Sequence, residues 1–194
     1  MQRIIAVVVL LLVFTGCNKT AETSGGNTAA NSAPASAGNV AVGDAAPDFT
    51  LPGYPHQEFC LSDQLADSIV VLYFYPKDNT PDCTTQACSF RDTYGEFIKN
   101  GAVIVGVSQD DLESHALFAD ELELPFPLLY DANGQVREQY GNPSGSGQPV
   151  PRMTYVIDRQ GTVREIISDD NAKNLQEHIS LALGTVKKIN AAEE

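Results

Sequence analysis

Two cysteines, Cys83 and Cys88, lie just behind a proline-containing turn near the middle of the chain. Thr80 and Pro81 come shortly before them; threonine is a good helix N-cap, and proline is favoured as the first helical residue. Cys83 is therefore predicted in the first turn of a helix, where free amides and the helix dipole stabilise a negative sulfur. A thiolate there is the kind of nucleophile that can attack one oxygen of a peroxide while the other oxygen leaves.

The neighbouring residues leave a second interpretation open. Asp82 precedes Cys83, and its negative charge disfavours a thiolate, so a nearby cation is needed to offset it. In the alternative, Cys83 is a small apolar residue packed beneath the helix start. The four-residue gap between Cys83 and Cys88 is not the two-residue gap of a zinc knuckle or a thioredoxin motif.

The elements that must position these cysteines alternate between predicted strands and helices. Residues 69–75 form an apolar, β-rich run that is typical of a central strand buried on both faces. Residues Pro81–Lys99 are predicted to be helical, and the inner face consists of Ala87, Phe90, Tyr94, Phe97 and Ile98. Further strands are predicted at 48–51, 58–61, 102–107, 127–130, 153–157 and 162–167, and further helices at 112–122, 134–140 and 171–183. This alternation predicts an α/β architecture, and the final hairpin makes the sheet mixed.

The motif Pro76-x-x-x-Thr80-x-x-Cys83 resembles the peroxiredoxin active site. The longer run from Phe74 to Asp92 is similar to the PrxQ branch, also called bacterioferritin comigratory protein. Residues 151–158 resemble the arginine-bearing strand of that branch. The resemblance implies a thioredoxin-like fold over a domain at residues 42–190, with a central mixed sheet flanked by helices. It also implies a peroxide-reducing activity that needs no metal or organic cofactor.

The resemblance assigns roles to individual residues of the motif. Cys83 would be the peroxidatic cysteine, and Thr80 would hydrogen-bond the peroxide through its hydroxyl. Arg152 would hold the thiolate and the developing oxygen charge, and it would be the cation that Asp82 makes necessary. Pro76 would shape the pocket and shield it from water. The chain departs from the family at Asp82, where glycine is usual.

Cys88 occupies the position at which the PrxQ branch often places its resolving cysteine, which would form a disulfide with Cys83. On an intact helix, Cα atoms five residues apart are roughly 8.6 Å from each other, whereas a disulfide needs about 4.4–6.8 Å. We therefore expect the helix start to unwind during each cycle. Cys60 is expected to be a core cysteine, and Arg91 and Asp92 an ion pair on the helix.

The N-terminus has the pattern of an export signal rather than of a folded element. Residues 1–16 contain an apolar run at 4–14 that is too short to span a bilayer. The small residues before Cys17 resemble the bacterial lipoprotein cleavage box, which implies a lipid on the Cys17 sulfur. Residues 17–41 are predicted to be a flexible linker. Because Asn18 follows Cys17, the analogy favours the outer membrane, with the domain facing the periplasm.

Charge and location restrict the expected partners. The net charge of −13 repels phosphate backbones, so nucleic acid is not an expected partner. An envelope site would be reduced by a periplasmic thioredoxin-like protein, since a cytoplasmic thioredoxin cannot reach it, and the family favours a monomer. Three histidines are scattered along the sequence and are expected to be surface residues rather than metal ligands: His56, His115 and His178.

Two other functions remain open at this stage. The first is an envelope thiol–disulfide oxidoreductase on the same fold, although that chemistry usually uses the Cys-x-x-Cys spacing. The second is a redox-silent, thioredoxin-like binding lipoprotein, in which Cys83 would be unreactive. The joint presence of Pro76, Thr80, Cys83 and Arg152 argues against a silent site.

Overall fold

The computed structural model describes residues 40–142 and 151–193. Two expected features lie outside those residues: the signal peptide (1–16) and Cys17 with most of the 17–41 linker. In the described part of the chain, no helix is both long enough and apolar enough to cross a lipid bilayer.

The strands of the described residues form one large mixed sheet and one small sheet. Their bounds are Thr50–Leu51 (β1), Gly53–Tyr54 (β2), Phe59–Cys60 (β3), Ile69–Phe74 (β4), Ala102–Ser108 (β5), Leu128–Tyr130 (β6), Met153–Ile157 (β7) and Val163–Ser168 (β8). The large sheet has the order β2-β6-β5-β4-β7-β8, and β1 pairs with β3. Strand β4 is parallel to β5 and antiparallel to β7, which forms the predicted hairpin with β8. The two-residue strand β2 was not predicted, because so short a segment carries no periodicity.

Five helices lie between or after these strands along the described part of the chain. Their bounds are Leu61–Leu65 (α1), Pro81–Lys99 (α2), Leu112–Leu122 (α3), Gln135–Gln139 (α4) and Leu175–Glu193 (α5). The prediction that the last helix ends at Gly184 is wrong. Glycine costs a helix only about 1 kcal/mol, and beyond it Val186 is buried in the core while Ile189 packs against the core. This burial outweighs the weak stop signal.

The central strand β4 is buried on both faces, as predicted. Alternate side chains such as Val71 point toward α2 and α5, and the others, such as Leu72, toward the opposite apolar cluster. On α2, the expected inner face is correct for Ala87, Phe90 and Phe97, which are buried. The prediction for Ile98 is wrong: it is 45% exposed, because one helical step of 100° turns it away from the sheet.

Candidate active site

A tight turn links the end of β4 to α2 and delivers the candidate nucleophile. Thr80 has the extended backbone of an N-cap, and its carbonyl accepts the first helical bond, from Thr84 N–H at 2.9 Å. The predicted helix start is therefore correct in the backbone. The Thr80 hydroxyl does not cap the helix; instead it donates to the Lys77 carbonyl at 3.1 Å. Pro76, at the start of the turn, is half-buried.

The sulfur of Cys83 lies against a guanidinium. Cys83 is in the first turn of α2 and is 2% exposed. Arg152, just before β7, is 8% exposed and its Nη1 lies 3.2 Å from the Cys83 Sγ. Arg152 Nη2 is also 3.7 Å from Asp82 Oδ2, whose side chain is 77% exposed. The guanidinium is therefore buried against the sulfur, whereas the Asp82 carboxylate faces water.

A cavity of about 690 Å³ opens beside this pair. One wall contains Pro76 and Arg152, together with Asp82 and Thr85 from the start of α2. The other wall comes from the segment that leads into α5, which includes Ala172 and Leu175 as apolar groups and Asp169, Lys173, Asn174 and Gln176 as polar ones. Sequence reasoning missed this second wall, because no motif marks a segment that reaches the site only through the fold.

Cys88 lies on the same helix as Cys83, one and a half turns later. It is half-buried, and both cysteines are free thiols. Since α2 is continuous from Pro81 to Lys99, the two Cα atoms have the helical separation that is too long for a disulfide. Cys60 is buried at the end of β3, as expected, with its Sγ 3.3 Å from Ser62 Oγ.

The turn before α2 is anchored by a buried carboxylate that sequence reasoning did not identify. Asp78 accepts hydrogen bonds from Tyr75 Oη (2.7 Å), Ser114 Oγ (2.8 Å) and the His115 ring (2.9 Å). Its backbone N–H donates to Asp110 Oδ2 at 2.9 Å. Burial alone would raise the pKa of Asp78, but these side-chain donors and the charge of His115 outweigh it and lower the pKa.

The expectation that all three histidines lie on the surface is wrong for two of them. His115 is fully buried on α3, and His178 is buried on α5, whereas His56 is exposed. His178 Nε2 lies 3.4 Å from Asp169 Oδ1 without the alignment of a hydrogen bond. Burial lowers the pKa of His178, and the charge of Arg152 lowers it further, against the opposing effect of Asp169. A neutral His178 therefore adds no charge near Arg152.

Two further polar residues of α2 differ in their surroundings. Gln86 lies between the two cysteines and is fully buried, and neither of its amide atoms has a hydrogen-bond partner in the described chain. Arg91 forms the expected ion pair with Asp92 at 2.8 Å, and it also donates to the Leu122 carbonyl at 2.8 Å. The helix around Gln86 therefore contains a buried polar group without a hydrogen bond, whereas Arg91 is bonded both to its own helix and to the end of α3.

The sequence comparisons agree with this geometry. The model of the AhpC/TSA family matches residues 42–166. A relative named peroxiredoxin Q, chloroplastic, from Triticum aestivum is 41% identical over 153 residues, which is 78% of this chain and 69% of the relative. This chain is a PrxQ-like peroxiredoxin of the AhpC/TSA family. It is therefore a thiol-dependent peroxidase, and the expectation of a redox-silent binding protein is set aside.

Solved structures confirm the fold of this peroxiredoxin. The crystal structure of peroxidoxin BcpB from Mycobacterium tuberculosis is similar with a TM-score of 0.73 and 39% identity, over 77% of this chain and 98% of that one. A structure of Xanthomonas campestris peroxiredoxin Q gives a TM-score of 0.66 and 28% identity, over 73% and 91% of the two chains. The predicted thioredoxin-like fold, with a mixed sheet flanked by helices, is thus correct.

Proposed function

We propose that this peroxiredoxin reduces peroxides through Cys83, and the observation that carries the proposal is the 3.2 Å contact between Arg152 Nη1 and the Cys83 sulfur. The thiolate attacks one peroxide oxygen and forms an S–O bond while the O–O bond breaks. The second oxygen takes a proton and leaves as water or an alcohol, and Cys83 becomes a sulfenic acid. Arg152 stabilises the negative charge on sulfur before the attack and on oxygen during it.

Two neighbours would complete this site. Pro76 lines the cavity next to Arg152, which supports its proposed role in shaping the pocket and limiting water. Thr80 lies three residues before Cys83, and its hydroxyl is occupied only by the Lys77 carbonyl. A hydroxyl retains acceptor lone pairs while it donates, so Thr80 can accept a hydrogen bond from the peroxide without breaking that contact.

Cys88 is the proposed resolving residue. Its thiolate attacks the sulfur of the Cys83 sulfenic acid, a disulfide forms, and water leaves. Because both cysteines lie on one continuous helix, the start of α2 must unwind before the sulfur atoms can bond. A thioredoxin-type protein then supplies two electrons and reduces the disulfide to two thiols.

The cavity favours organic hydroperoxides as substrates. Its volume of about 690 Å³ is far larger than hydrogen peroxide needs, and Pro76, Ala172 and Leu175 offer apolar surface to an alkyl group. A related structure, that of the bacterioferritin comigratory protein of Xanthomonas campestris, is described in terms of alkyl peroxide reduction. We expect an alkyl hydroperoxide to have a lower KM than hydrogen peroxide.

Stopped-flow reduction of peroxide by residues 42–194 tests these assignments. Cys83→Ser should abolish the reaction, whereas Cys88→Ser should allow one oxidation per molecule and block turnover with a thioredoxin-type donor. Insulin reduction, measured in parallel, should stay at background if the protein is a peroxidase rather than an envelope thiol–disulfide oxidoreductase. A Cys83→Ser variant that still consumes peroxide at the wild-type rate would refute the proposal.

We further propose that the mature chain is a monomeric lipoprotein of the bacterial outer membrane that faces the periplasm. The support is the apolar run at 4–14 and the small residues before Cys17. Incorporation of an alkyne-labelled fatty acid in cells tests the anchor. The full-length chain should be labelled and Cys17→Ala should not, and label on both would contradict the assignment.

A further inference from the structure

His115 and Asp78 form a buried, hydrogen-bonded pair. The His115 ring is 0% exposed; its Nδ1 lies 2.9 Å from Asp78 Oδ2 and its Nε2 lies 3.1 Å from the Leu129 carbonyl oxygen. A carboxylate only accepts hydrogen bonds, so the ring donates from Nδ1 to Asp78. This hydrogen bond joins the turn before α2 to α3 in the interior of the protein.

The hydrogen bond between His115 and Asp78 attaches the turn that precedes the nucleophile to α3. Asp78 is the third residue of the turn at 76–80, and its carboxylate joins that turn to α3 through His115 and Ser114. The next residue, Asn79, has φ 57°, a left-handed conformation that asparagine adopts more readily than most residues other than glycine. Asp78 thus lies where the backbone reverses into α2, and its hydrogen bonds to α3 fix the position of that reversal.

A short stretch of backbone connects Asp78 to the reacting sulfur of Cys83. Cys83 follows Asp78 by five residues, and Arg152 approaches the sulfur from a separate strand. A shift of the turn moves Cys83 but leaves Arg152 in place, so the 3.2 Å contact between them lengthens. Displacements of about 1 Å in a reacting group are enough to slow catalysis strongly.

We propose that Asp78 and His115 are positioning residues for the peroxidase reaction: the hydrogen bond between them fixes the turn so that the Cys83 sulfur meets the Arg152 guanidinium. Neither residue contacts the sulfur; they act through the backbone of the turn. The inference rests on the proposed role of Cys83 as the nucleophile.

Two substitutions of the same histidine separate positioning from general stability. In His115→Asn the side-chain amide reaches the place of Nδ1 and can still donate to Asp78. In His115→Gln the amide reaches the place of Nε2, so it keeps the Leu129 contact and loses Asp78. Both variants replace the ring with a neutral amide, which makes each the control for the other.

The readouts are the second-order rate of Cys83 oxidation by hydrogen peroxide in single turnover, and the thiolate absorbance near 240 nm as a function of pH. For His115→Gln we expect a rate at least about 10-fold lower and a thiolate that forms only at higher pH than in the wild type. For His115→Asn we expect recovery to within about threefold of the wild-type rate, because the hydrogen bond to Asp78 is kept.

Several results would overturn the inference. A folded His115→Gln protein with the wild-type rate and titration would do so, as would a His115→Asn protein that is as slow as His115→Gln. If His115→Gln does not fold, Ser114→Ala removes another donor to the same carboxylate, and we expect its rate to fall about two- to threefold; an unchanged rate contradicts the proposal. Failure of the proposed function can be distinguished from failure of this inference, because Cys83→Ser would still react with peroxide if Cys83 were not the nucleophile.

Discussion

The two ends of the segment that carries the nucleophile are held in different ways. At the turn, both carboxylate oxygens and the backbone N–H of Asp78 are paired. The Tyr75 N–H donates to the Val107 carbonyl, and the Tyr75 carbonyl accepts from Arg137 Nη2. At the start of α2, the Thr80 hydroxyl turns away from the helix amides, and Gln86 is buried with neither amide atom paired.

This difference matches two opposing requirements of the proposed cycle. Attack on a peroxide needs a sulfur held at a fixed distance from Arg152, which a rigid turn provides. Resolution needs the helix between Cys83 and Cys88 to open. Opening releases a buried Gln86 amide to water, and an unpaired buried polar group costs about 1–3 kcal/mol. Hydration of the Gln86 amide thus offsets part of the free-energy cost of unwinding the helix.

Removal of the anchor's charge should have the largest effect. Asp78→Asn replaces the carboxylate that accepts hydrogen bonds from Tyr75, Ser114 and His115 with a neutral amide, and each hydrogen bond to a charged group that is lost costs about 1.5–3 kcal/mol. Urea unfolding at pH 7 should show this loss in the free energy of unfolding. Because folding lowers the pKa of Asp78, its contribution is present above the unfolded value and is lost as the pH falls through the folded value. The difference between wild type and variant should therefore shrink below about pH 4, and a pH-independent difference would contradict the account.

Loss of the guanidinium should have the next largest effect, on rate rather than stability. Arg152→Met removes the cation at 3.2 Å from the Cys83 sulfur, and we expect peroxide reduction to slow by about 10²–10³-fold, as for one oxyanion donor. Lys187→Met is the matched control, because it removes an exposed cation that pairs only with Glu96. Equal rates in the two variants would show that Arg152 does not act on the sulfur.

A smaller effect is expected at the helix start. Gln86→Met keeps the volume and removes the unpaired amide, so the protein should gain about 1 kcal/mol in the free energy of unfolding. The first oxidation of Cys83 should be unchanged, whereas disulfide formation with Cys88 should slow about fivefold because the helix opens less readily. Quenched-flow alkylation measures the two steps separately. Faster disulfide formation would show that Gln86 stabilises the closed helix.

The smallest effect is expected for Asp82. Its carboxylate is exposed and lies 3.7 Å from Arg152, and exposed ion pairs contribute about 0–1 kcal/mol. Asp82→Asn should therefore raise the rate of Cys83 oxidation by no more than about threefold, and the gain should shrink at high salt, where exposed charges are screened. A gain of tenfold or more would show that Asp82 controls the thiolate.

Local features of the site could be predicted from the sequence, but contacts between distant segments could not. The buried strand β4 and the start of the helix that carries Cys83 follow from composition and spacing and are predicted correctly, although the Thr80 hydroxyl does not cap the helix. The contact between Cys83 and Arg152, 69 residues apart, was expected only through the family resemblance. Periodicity carries no information about which separate segments meet.

The incorrect predictions share that physical cause. The sequence pattern predicts a surface position for His115, because its partner Asp78 lies 37 residues away and no motif links the two residues. The same pattern predicts that the last helix ends at Gly184, although the burial of Val186 decides the length of the helix. In each case tertiary packing outweighed a weak local preference.

Hydrogen exchange of the reduced and the peroxide-oxidised protein tests the difference between the two ends most directly. On oxidation, the amides at residues 84–88 should lose protection as the helix start unwinds, while those of Tyr75 and Asp78, bonded to Val107 and Asp110, should keep it. Loss of protection at both ends, or at neither, would contradict the account of a fixed anchor beside a helix that opens.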